Sequence, residues 1–252
     1  MAKPDKKEVA VKKSTEVATQ ADIPDFLKDK MKDNRGSEEV QSNDLVIPRV
    51  ELVQSLSKCR KKADPAYIEG IEEGMLYNNV TRKIYGEEMI VCPVYFRKEW
   101  LLWRDQDLGG GFGGAFDSAE AAEHAREGLE KPDEWEVVDT NQHFVLVIND
   151  DGSVEEAVIS MAKTKAKTSR NWNSLVRINS GPRFSRLYKL VGVGATNKAN
   201  QDYFTLDVKN VGFVSEEVFK HAEKVYEMVT SGKAGIDRTF DDASFDDDAG
   251  DM

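Results

Sequence analysis

The sequence has few cysteines and no long apolar run. Cys59 and Cys92 are its two cysteines, which are too few for a disulfide framework and too far apart for a CxxC zinc motif. We expect both to be buried thiols. No window approaches the roughly 20 apolar residues of a membrane helix, and residues 1–13 alternate lysines with small residues instead of leading into a signal region. We therefore expect a cytoplasmic protein without a membrane partner.

Catalytic arrangements are also missing from the sequence. The three histidines, His124, His143 and His221, are far apart, and HExxH, Cys-His and GxSxG patterns are absent. Paired acids such as Glu72 and Glu73 are common in exposed loops and do not define an active site. We expect no enzyme activity, no cofactor and no metal.

A glycine-rich run between residues 109 and 114 contains a possible dinucleotide-binding pattern. Gly109, Gly111 and Gly114 match GxGxxG, the dinucleotide pattern. The predicted helix that follows begins too late to place its N-terminus on a pyrophosphate, and the neighbouring strands are predicted to be antiparallel. We interpret the run as a flexible loop that carries Phe112. This loop either folds over a bound strand or is an ordinary surface loop.

The charge of the chain is unevenly distributed. The net charge is -11, which by itself argues against a nucleic-acid partner because phosphate binding requires a positive surface. Residues 157–201, however, contain no acidic residue; we call this stretch the basic segment. Its nine cations are Lys163, Lys165, Lys167, Arg170, Arg177, Arg183, Arg186, Lys189 and Lys198.

Aromatic residues lie within the basic segment. In a strand that starts at Arg183, a period of two would place Phe184, Arg186 and Tyr188 on one face. Cations that follow phosphates and aromatic faces that stack on bases, at about 1–3 kcal/mol per base, are the components of a single-strand site. The alternative is that Phe184 and Tyr188 point into the core and that the basic residues are only solvated.

A second aromatic group precedes the glycine run. Trp100 and Trp103 cannot share a strand face, so one of them belongs to the core, and we expect Trp103 with Arg104 to be the more exposed pair. The predicted single-stranded DNA site comprises Lys98, Trp100, Trp103, Arg104, Phe112, Lys163, Lys165, Lys167, Arg170, Trp172, Arg177, Arg183, Phe184, Arg186, Tyr188 and Lys189.

Both ends of the chain differ in composition from the centre. Residues 1–43 are polar and poor in aromatics, which predicts a disordered charged arm, with one short helix at 23–31. Residues 233–252 form an acidic, flexible tail that either competes with DNA for the basic segment and recruits replication or recombination proteins, or only improves solubility. Its proposed contact residues are Phe240, Asp241, Asp242, Phe245, Asp246, Asp247 and Asp248.

Residues 44–232 are predicted to form a mainly β core. Short strands, hairpin signals such as Asp151 and Gly152, and a helix capped by Ser215 favour an OB-fold-like antiparallel barrel, closed or partly closed, with a few appended α-helices. The predicted strands are 80–85, 88–96, 100–104, 135–139, 143–148, 154–161, 183–193 and 203–211. The predicted helices are 118–129, 165–178 and 215–230.

The layout resembles that of bacteriophage single-stranded DNA-binding proteins, which combine an OB-fold core with an acidic C-terminal tail. The segments that carry the likeness are 47–49, 94–100 with the glycine run, and 181–184. The resemblance implies sequence-independent binding of single strands in the barrel groove and tail contact with a polymerase, helicase or recombination nuclease. One departure is that the tail ends in Asp251 and Met252, whereas short-tailed phage relatives end on an aromatic residue.

The sequence thus predicts a single-stranded DNA-binding protein of phage replication, recombination or repair. A first alternative is a strand-annealing or recombination-mediator protein, which would form homo-oligomeric rings or filaments. An alternative of another class is a virion or assembly-associated structural protein that does not bind DNA.

Overall fold

The computed structural model describes residues 36, 46–105, 108–197, 200–231 and 235–236. The chain divides into two compact units, 1–41 and 42–252, and every element below belongs to the second. Apart from Gly36, the predicted arm and its short helix lie outside the described residues, as does the predicted tail beyond Ile236.

The second unit contains strands, three α-helices and several short 3-10 turns among its described residues. The strands are β1 (Val46–Ile47), β2 (Val50–Leu52), β3 (Leu76–Asn78), β4 (Ile84–Gly86), β5 (Glu88–Arg104), β6 (Phe112–Phe116), β7 (Trp135–Ile148), β8 (Val154–Ala162), β9 (Arg186–Thr196), β10 (Asp202–Phe213) and β11 (Gly235–Ile236). The helices are α1 (Ala119–Glu127), α2 (Ala166–Ile178) and α3 (Glu216–Thr230).

A central antiparallel sheet organises the fold. Its strand order is β10-β9-β5-β7-β8, and β6 pairs with the distal half of β5. A smaller antiparallel sheet has the order β2-β3-β4, and β1 pairs with β11 in parallel. The mainly antiparallel β class with a few helices is therefore confirmed. Ser215 caps α3 as predicted, because its side chain accepts a hydrogen bond from the Val218 N–H.

Two strands are longer than predicted. The predicted strands 88–96 and 100–104 are one strand, β5, and the predicted strands 135–139 and 143–148 are one strand, β7. The polar residues between them continue the ladder, since Arg97 pairs with Gln142 and Glu99 pairs with Thr140. Polar side chains do not interrupt a ladder, because its hydrogen bonds join backbone groups.

Two loop assignments are also corrected. The predicted strand 80–85 begins only at Ile84, because the Asn78 side chain accepts hydrogen bonds from the N–H groups of Val80 and Thr81 and forms a turn. The predicted mobile loop at Phe112 is strand β6. The Phe112 ring lies 5.0 Å from the Trp103 ring, so Phe112 packs on the sheet.

Both faces of β7 are buried, as alternation along a strand requires. On one face, Val145 and Val147 pack with Trp172 of α2. On the other face, Phe144 and Leu146 pack with α3. The double burial explains the continuous apolar run of residues 144–148.

The central sheet curls but stays open. Strands β8 and β10 lie at its two edges, yet both contact α2. No ladder joins β8 to β10 in the described part of the chain, so the closed form of the predicted barrel is not found there.

Polar groups from other elements bond to the two edges. At β8, the Val158 N–H donates to the Pro48 carbonyl at 2.8 Å. At β10, the buried Gln54 amide accepts from the Phe204 N–H at 2.8 Å and donates to its carbonyl at 2.7 Å. The Thr168 hydroxyl donates to the Leu206 carbonyl at 2.6 Å. Edge strands whose backbone groups are already hydrogen-bonded do not need to pair with each other or with another chain.

Gly192 in β9 marks a close approach between the two sheets. A Cβ at this position would overlap the carbonyl oxygen of Gly74, in the loop that leads into β3. Two residues further along the same strand, a Cβ at Gly194 would meet no atom within 4 Å. Glycine at 192 therefore permits a contact that any other residue would prevent.

We predict that Gly192→Ala lowers the free energy of unfolding by about 2–3 kcal/mol, since overpacking of this kind forces the backbone apart. Gly194→Ala is the matched control and should change it by less than about 0.5 kcal/mol. Urea unfolding of the two variants compares them directly. Equal stability would show that the contact between Gly192 and Gly74 is not maintained in solution.

Candidate nucleic-acid interface

Helix α2 is amphipathic and carries the centre of the basic segment. Thr168, Ser169 and Trp172 are buried against the sheet. The opposite side of the helix is exposed, at helical spacings of three and four residues. We call this side the basic face; its members are Lys167, Arg170, Asn171, Ser174 and Arg177.

The cations of the basic face are not neutralised by described residues. Lys167, Arg170 and Arg177 form no ion pair within the described part of the chain, and α2 contains no acidic residue. With a rise of about 1.5 Å per residue, Lys167 and Arg177 are separated by about 15 Å along the helix axis. The basic face is thus an elongated positive surface on an otherwise acidic protein.

The other cations of the basic segment do not extend this surface. The Lys163 ammonium bonds to Glu136 at 3.0 Å, and that of Lys189 bonds to Glu88 at 2.6 Å. Lys189 also alternates with Tyr188 and Leu190, which face α2, so it projects from the opposite face of the sheet. Lys165 lies at the start of α2, and Lys198 lies outside the described residues.

The predicted stacking platform is wrong. Trp172 and Tyr188 are 0% and 1% exposed and belong to the core beneath α2. Phe184 is 8% exposed and belongs to the core beneath α3, where its ring lies 5.0 Å from Phe219. Residues Arg183–Ser185 form a 3-10 turn, so strand alternation begins only at Arg186 and does not place Phe184 beside Tyr188.

The predicted exposure of the two neighbouring tryptophans is reversed. Trp103 is 5% exposed and packs with Leu101, whereas Trp100 is half-buried. The Lys98 ammonium lies 5.1 Å from the Trp100 ring centre and 2.8 Å from Asp139. Arg104 is held by Glu134 at 2.6 Å. Trp100 is therefore the more accessible ring of the two.

Strand β5 presents further residues toward the side on which α2 packs. Phe96, Lys98 and Trp100 are paired with His143, Asn141 and Asp139 of β7, and directly paired residues share a sheet face. His143 lies beneath α2. We call Phe96, Lys98 and Trp100 the β5 strip.

Arg186 makes a separate aromatic contact. Its guanidinium lies 4.2 Å from the centre of the Phe213 ring, which is 71% exposed. Arg186 is thereby held beside β10 instead of at a phosphate-binding position on α2.

A buried polar cluster fixes α2 to the sheet. Arg183 can only donate, so the Nδ1 atom of His143, 3.0 Å from its Nη2, must accept. The Nε2 atom of His143 therefore carries the proton and donates to the Ser169 hydroxyl at 2.8 Å. The imidazole also stacks on Trp172, with ring centres 4.5 Å apart and planes at 9°. This geometry requires a neutral His143.

The titration of the cluster follows from its burial. Burial lowers the pKa of His143 well below its ordinary value, and the neighbouring charge of Arg183 lowers it further. Burial also lowers the pKa of Arg183, to about 10. The guanidinium lies 5.5 Å from the Phe96 ring centre and stays protonated at neutral pH.

The sequence did not reveal the role of His143. No role was predicted for His143, and Arg183 was predicted to contact DNA. The sequence did contain a signal that His143 is buried, because His143 directly precedes the apolar run of residues 144–148, in a strand that is buried on both faces. A histidine in such a run needs partners, because burying an unpaired polar group is costly.

The two cysteines do not form a reactive or metal-binding pair with each other. Cys59 and Cys92 are buried free thiols, as predicted, and burial raises the pKa of Cys92 to about 12. In the described part of the chain, no group of three or more His, Cys, Asp or Glu side chains could hold a metal ion. None of the described helices combines the length and apolar character needed to cross a bilayer.

Fold and site together define an antiparallel β protein with a curled sheet and a cationic helix on one sheet face. Comparison with models of known protein families identifies the family to which the chain belongs. It belongs to the Pam3 phage gp34-like protein family, whose model matches residues 13–235. The family description names a phage, which supports the phage origin implied by the sequence resemblance. Neither the curated proteins nor the solved structures gave a match.

We predict that stability falls as the pH drops below about 6.5, the ordinary pKa of histidine. The unfolded chain binds a proton at His143 in this range and the folded chain does not. The free energy of unfolding therefore falls by up to about 1.4 kcal/mol for each pH unit. Urea unfolding between pH 5 and 7 measures the slope.

His143→Gln should flatten this slope, whereas the same change at His124, which is exposed on α1, should not. A slope that His143→Gln leaves intact would place its origin elsewhere.

Proposed function

We propose that this protein binds single-stranded DNA without sequence preference and without catalysing a reaction. The observation that carries the proposal is the basic face of α2, where Lys167, Arg170 and Arg177 are exposed and unpaired among the described residues. A chain with a net charge of -11 would repel DNA elsewhere. Phosphate binding would therefore be centred on this surface.

Phosphate contact is the main expected source of affinity. Lysine and arginine neutralise phosphates and release counterions, which makes the affinity depend strongly on salt. Asn171 lies between the cations, and its amide can donate to phosphate oxygens, whereas the Ser174 hydroxyl already donates to the Arg170 carbonyl at 2.9 Å. Contacts to phosphates carry no sequence information, so this part of the interface is independent of sequence.

Preference for a single strand is assigned to the β5 strip. Phe96 and Trp100 are half-buried, and each has a cation over its ring, Arg183 and Lys98 respectively. Four residues along a strand separate them by about 13 Å. Unpaired bases stack on such rings irrespective of base identity. A duplex hides its base faces and would gain only the phosphate contacts.

We also propose an OB-like relationship for the curled sheet and a role in phage replication, recombination or repair. OB folds bind single strands on the face of a curled antiparallel sheet. The β5 strip lies on such a face, beside the helix that bridges the two sheet edges.

Charge reversal on α2 tests the proposal. Lys167→Glu, Arg170→Glu and Arg177→Glu combined should weaken binding to oligothymidylate at least about tenfold at low salt. The log-log salt slope should fall by about 2, which is about 0.7 for each of three lost phosphate contacts. Fluorescence anisotropy of labelled oligothymidylate at several salt concentrations measures both quantities.

The control changes Lys209, Lys220 and Lys224 to Glu. This gives the same charge change on α3 and on the face of β10 opposite α2, since Lys209 pairs with Lys189. Equal weakening by both triple variants would mean that net charge governs binding instead of the basic face. Circular dichroism verifies that both variants are folded.

We propose that the acidic tail competes with DNA and also recruits partner proteins, through its part from residue 237 to residue 252. It contains seven aspartates and the aromatic residues Phe240 and Phe245, and a tethered anion competes at high effective concentration.

Removal of residues 237–252 should therefore tighten binding to oligothymidylate several-fold at low salt and have little effect at high salt, where tail and phosphate are both screened. The same anisotropy titration compares the truncated and full chains. Unchanged affinity at low salt would exclude competition by the tail.

A further inference from the structure

A cavity of about 150 Å³ lies beside the small sheet and meets the start of α2. Its walls come from β2, from the turn between β3 and β4, and from the loop that follows β2. Tyr77 of β3, which is half-buried, provides an aromatic wall, and Leu52 provides an apolar one. The cavity is therefore neither wholly polar nor wholly apolar.

Asn79, one of the lining residues, holds a hydrogen-bond donor in a fixed orientation. The Asn79 Oδ1 atom accepts from the Arg49 N–H at 2.8 Å, and the Asn79 N–H donates to the Arg49 carbonyl at 3.0 Å. Since Oδ1 is committed as an acceptor, the orientation of the amide is determined. Its Nδ2 atom is buried and has no hydrogen-bond partner among the described residues. A buried donor of this kind costs stability unless a ligand satisfies it.

Cations surround the cavity. Lys58 and Arg82 line it, are exposed, and form no ion pair within the described residues. Lys165 lines it from the start of α2. Glu51 is the one acid among the lining residues, so the cations outnumber it three to one.

The cavity adjoins the end of α2 at which the basic face begins. Lys165 belongs to its lining and precedes Lys167, the first cation of the basic face, by two residues. A nucleic-acid strand that follows α2 toward its N-terminus would therefore reach the cavity and its cations.

We propose that the cavity binds one pyrimidine nucleotide of the bound strand. This inference rests on the proposed function and modifies it at one position: the basic face and the β5 strip bind without sequence preference, and the cavity adds a preference for one pyrimidine. A cavity of this size holds a single six-membered ring, by comparison with cavities of about 150 Å³ that bind benzene. The base lies against Tyr77, a base carbonyl accepts from Asn79 Nδ2, and the adjoining phosphates lie near Lys58 and Arg82.

The test compares oligothymidylate with an abasic deoxyribose-phosphate oligomer of the same length, and with oligodeoxyadenylate. The full chain should bind oligothymidylate at least about tenfold more tightly than the abasic oligomer, which lacks bases for the β5 strip as well as for the cavity. It should also bind oligothymidylate more tightly than oligodeoxyadenylate, a difference that the cavity alone produces. Asn79→Asp should remove the preference for oligothymidylate over oligodeoxyadenylate. This substitution keeps the acceptor for the Arg49 N–H and removes the donor.

Asn210→Asp is the matched control, since its Oδ1 likewise accepts a backbone N–H, from Gly212, and it adds the same charge far from the cavity lining. A second variant, Ala66→Trp, obstructs the cavity from an exposed position and should also remove the preference for thymidylate. Both variants should still bind the abasic oligomer through the basic face.

The outcomes separate the two proposals. If the full chain binds oligothymidylate and oligodeoxyadenylate equally, or if both cavity variants keep the preference, the cavity does not take a base, although the proposed function stands. If the full chain binds none of the oligomers at low salt, the proposed function fails, and the cavity inference fails with it.

Discussion

The packing of α2 on the central sheet is the contact on which the rest of the structure depends. Trp172 buries its whole side chain against the sheet, stacked on His143 of β7 and edge-on to Tyr188 of β9. A buried tryptophan of this kind contributes about 3–5 kcal/mol, a large part of the 5–15 kcal/mol that holds a typical domain together. Because α2 contacts both edge strands, the same packing lets the sheet curl without a closing ladder. It also fixes which side of the helix faces solvent.

The electrostatics follow from that orientation. A helix with an apolar side and a cationic side can pack in one rotational setting, so burial of Trp172 exposes Lys167, Arg170 and Arg177 together. The polar residues on the buried side of α2 have hydrogen-bond partners. Ser169 bonds to His143, and Thr168 bonds to the Leu206 carbonyl at the β10 edge. The helix thus completes the sheet with one side and offers a phosphate-binding surface with the other. The proposed nucleotide cavity extends this surface at the helix N-terminus.

Sequence reasoning succeeded where a local signal sufficed. The hairpin at Asp151 and Gly152 was predicted from its turn residues, and Gly152 has a φ of 81°. The Ser215 cap was equally local. The errors arose where a side chain's surroundings come from distant parts of the chain. Phe184 and Tyr188 were predicted to share one face of a strand that begins at Arg183. Residues Arg183–Ser185 instead form a 3-10 turn before the strand. Trp100 and Trp103 were correctly placed on opposite faces, but which face is covered depends on packing that sequence spacing does not reveal.

The sequence by itself determined the mainly antiparallel β class, the three α-helices and the concentration of positive charge in residues 157–201. These properties follow from the periodicity of apolar residues, from capping residues and from the order of charges along the chain. Only the tertiary structure decided which cations stay free and which aromatic rings stay accessible. Lys163 and Lys189 are neutralised by Glu136 and Glu88, which are distant in sequence, and Trp172 is buried by strands from both halves of the core. Ion pairing and burial are relations between separate segments, and only the folded chain brings those segments together.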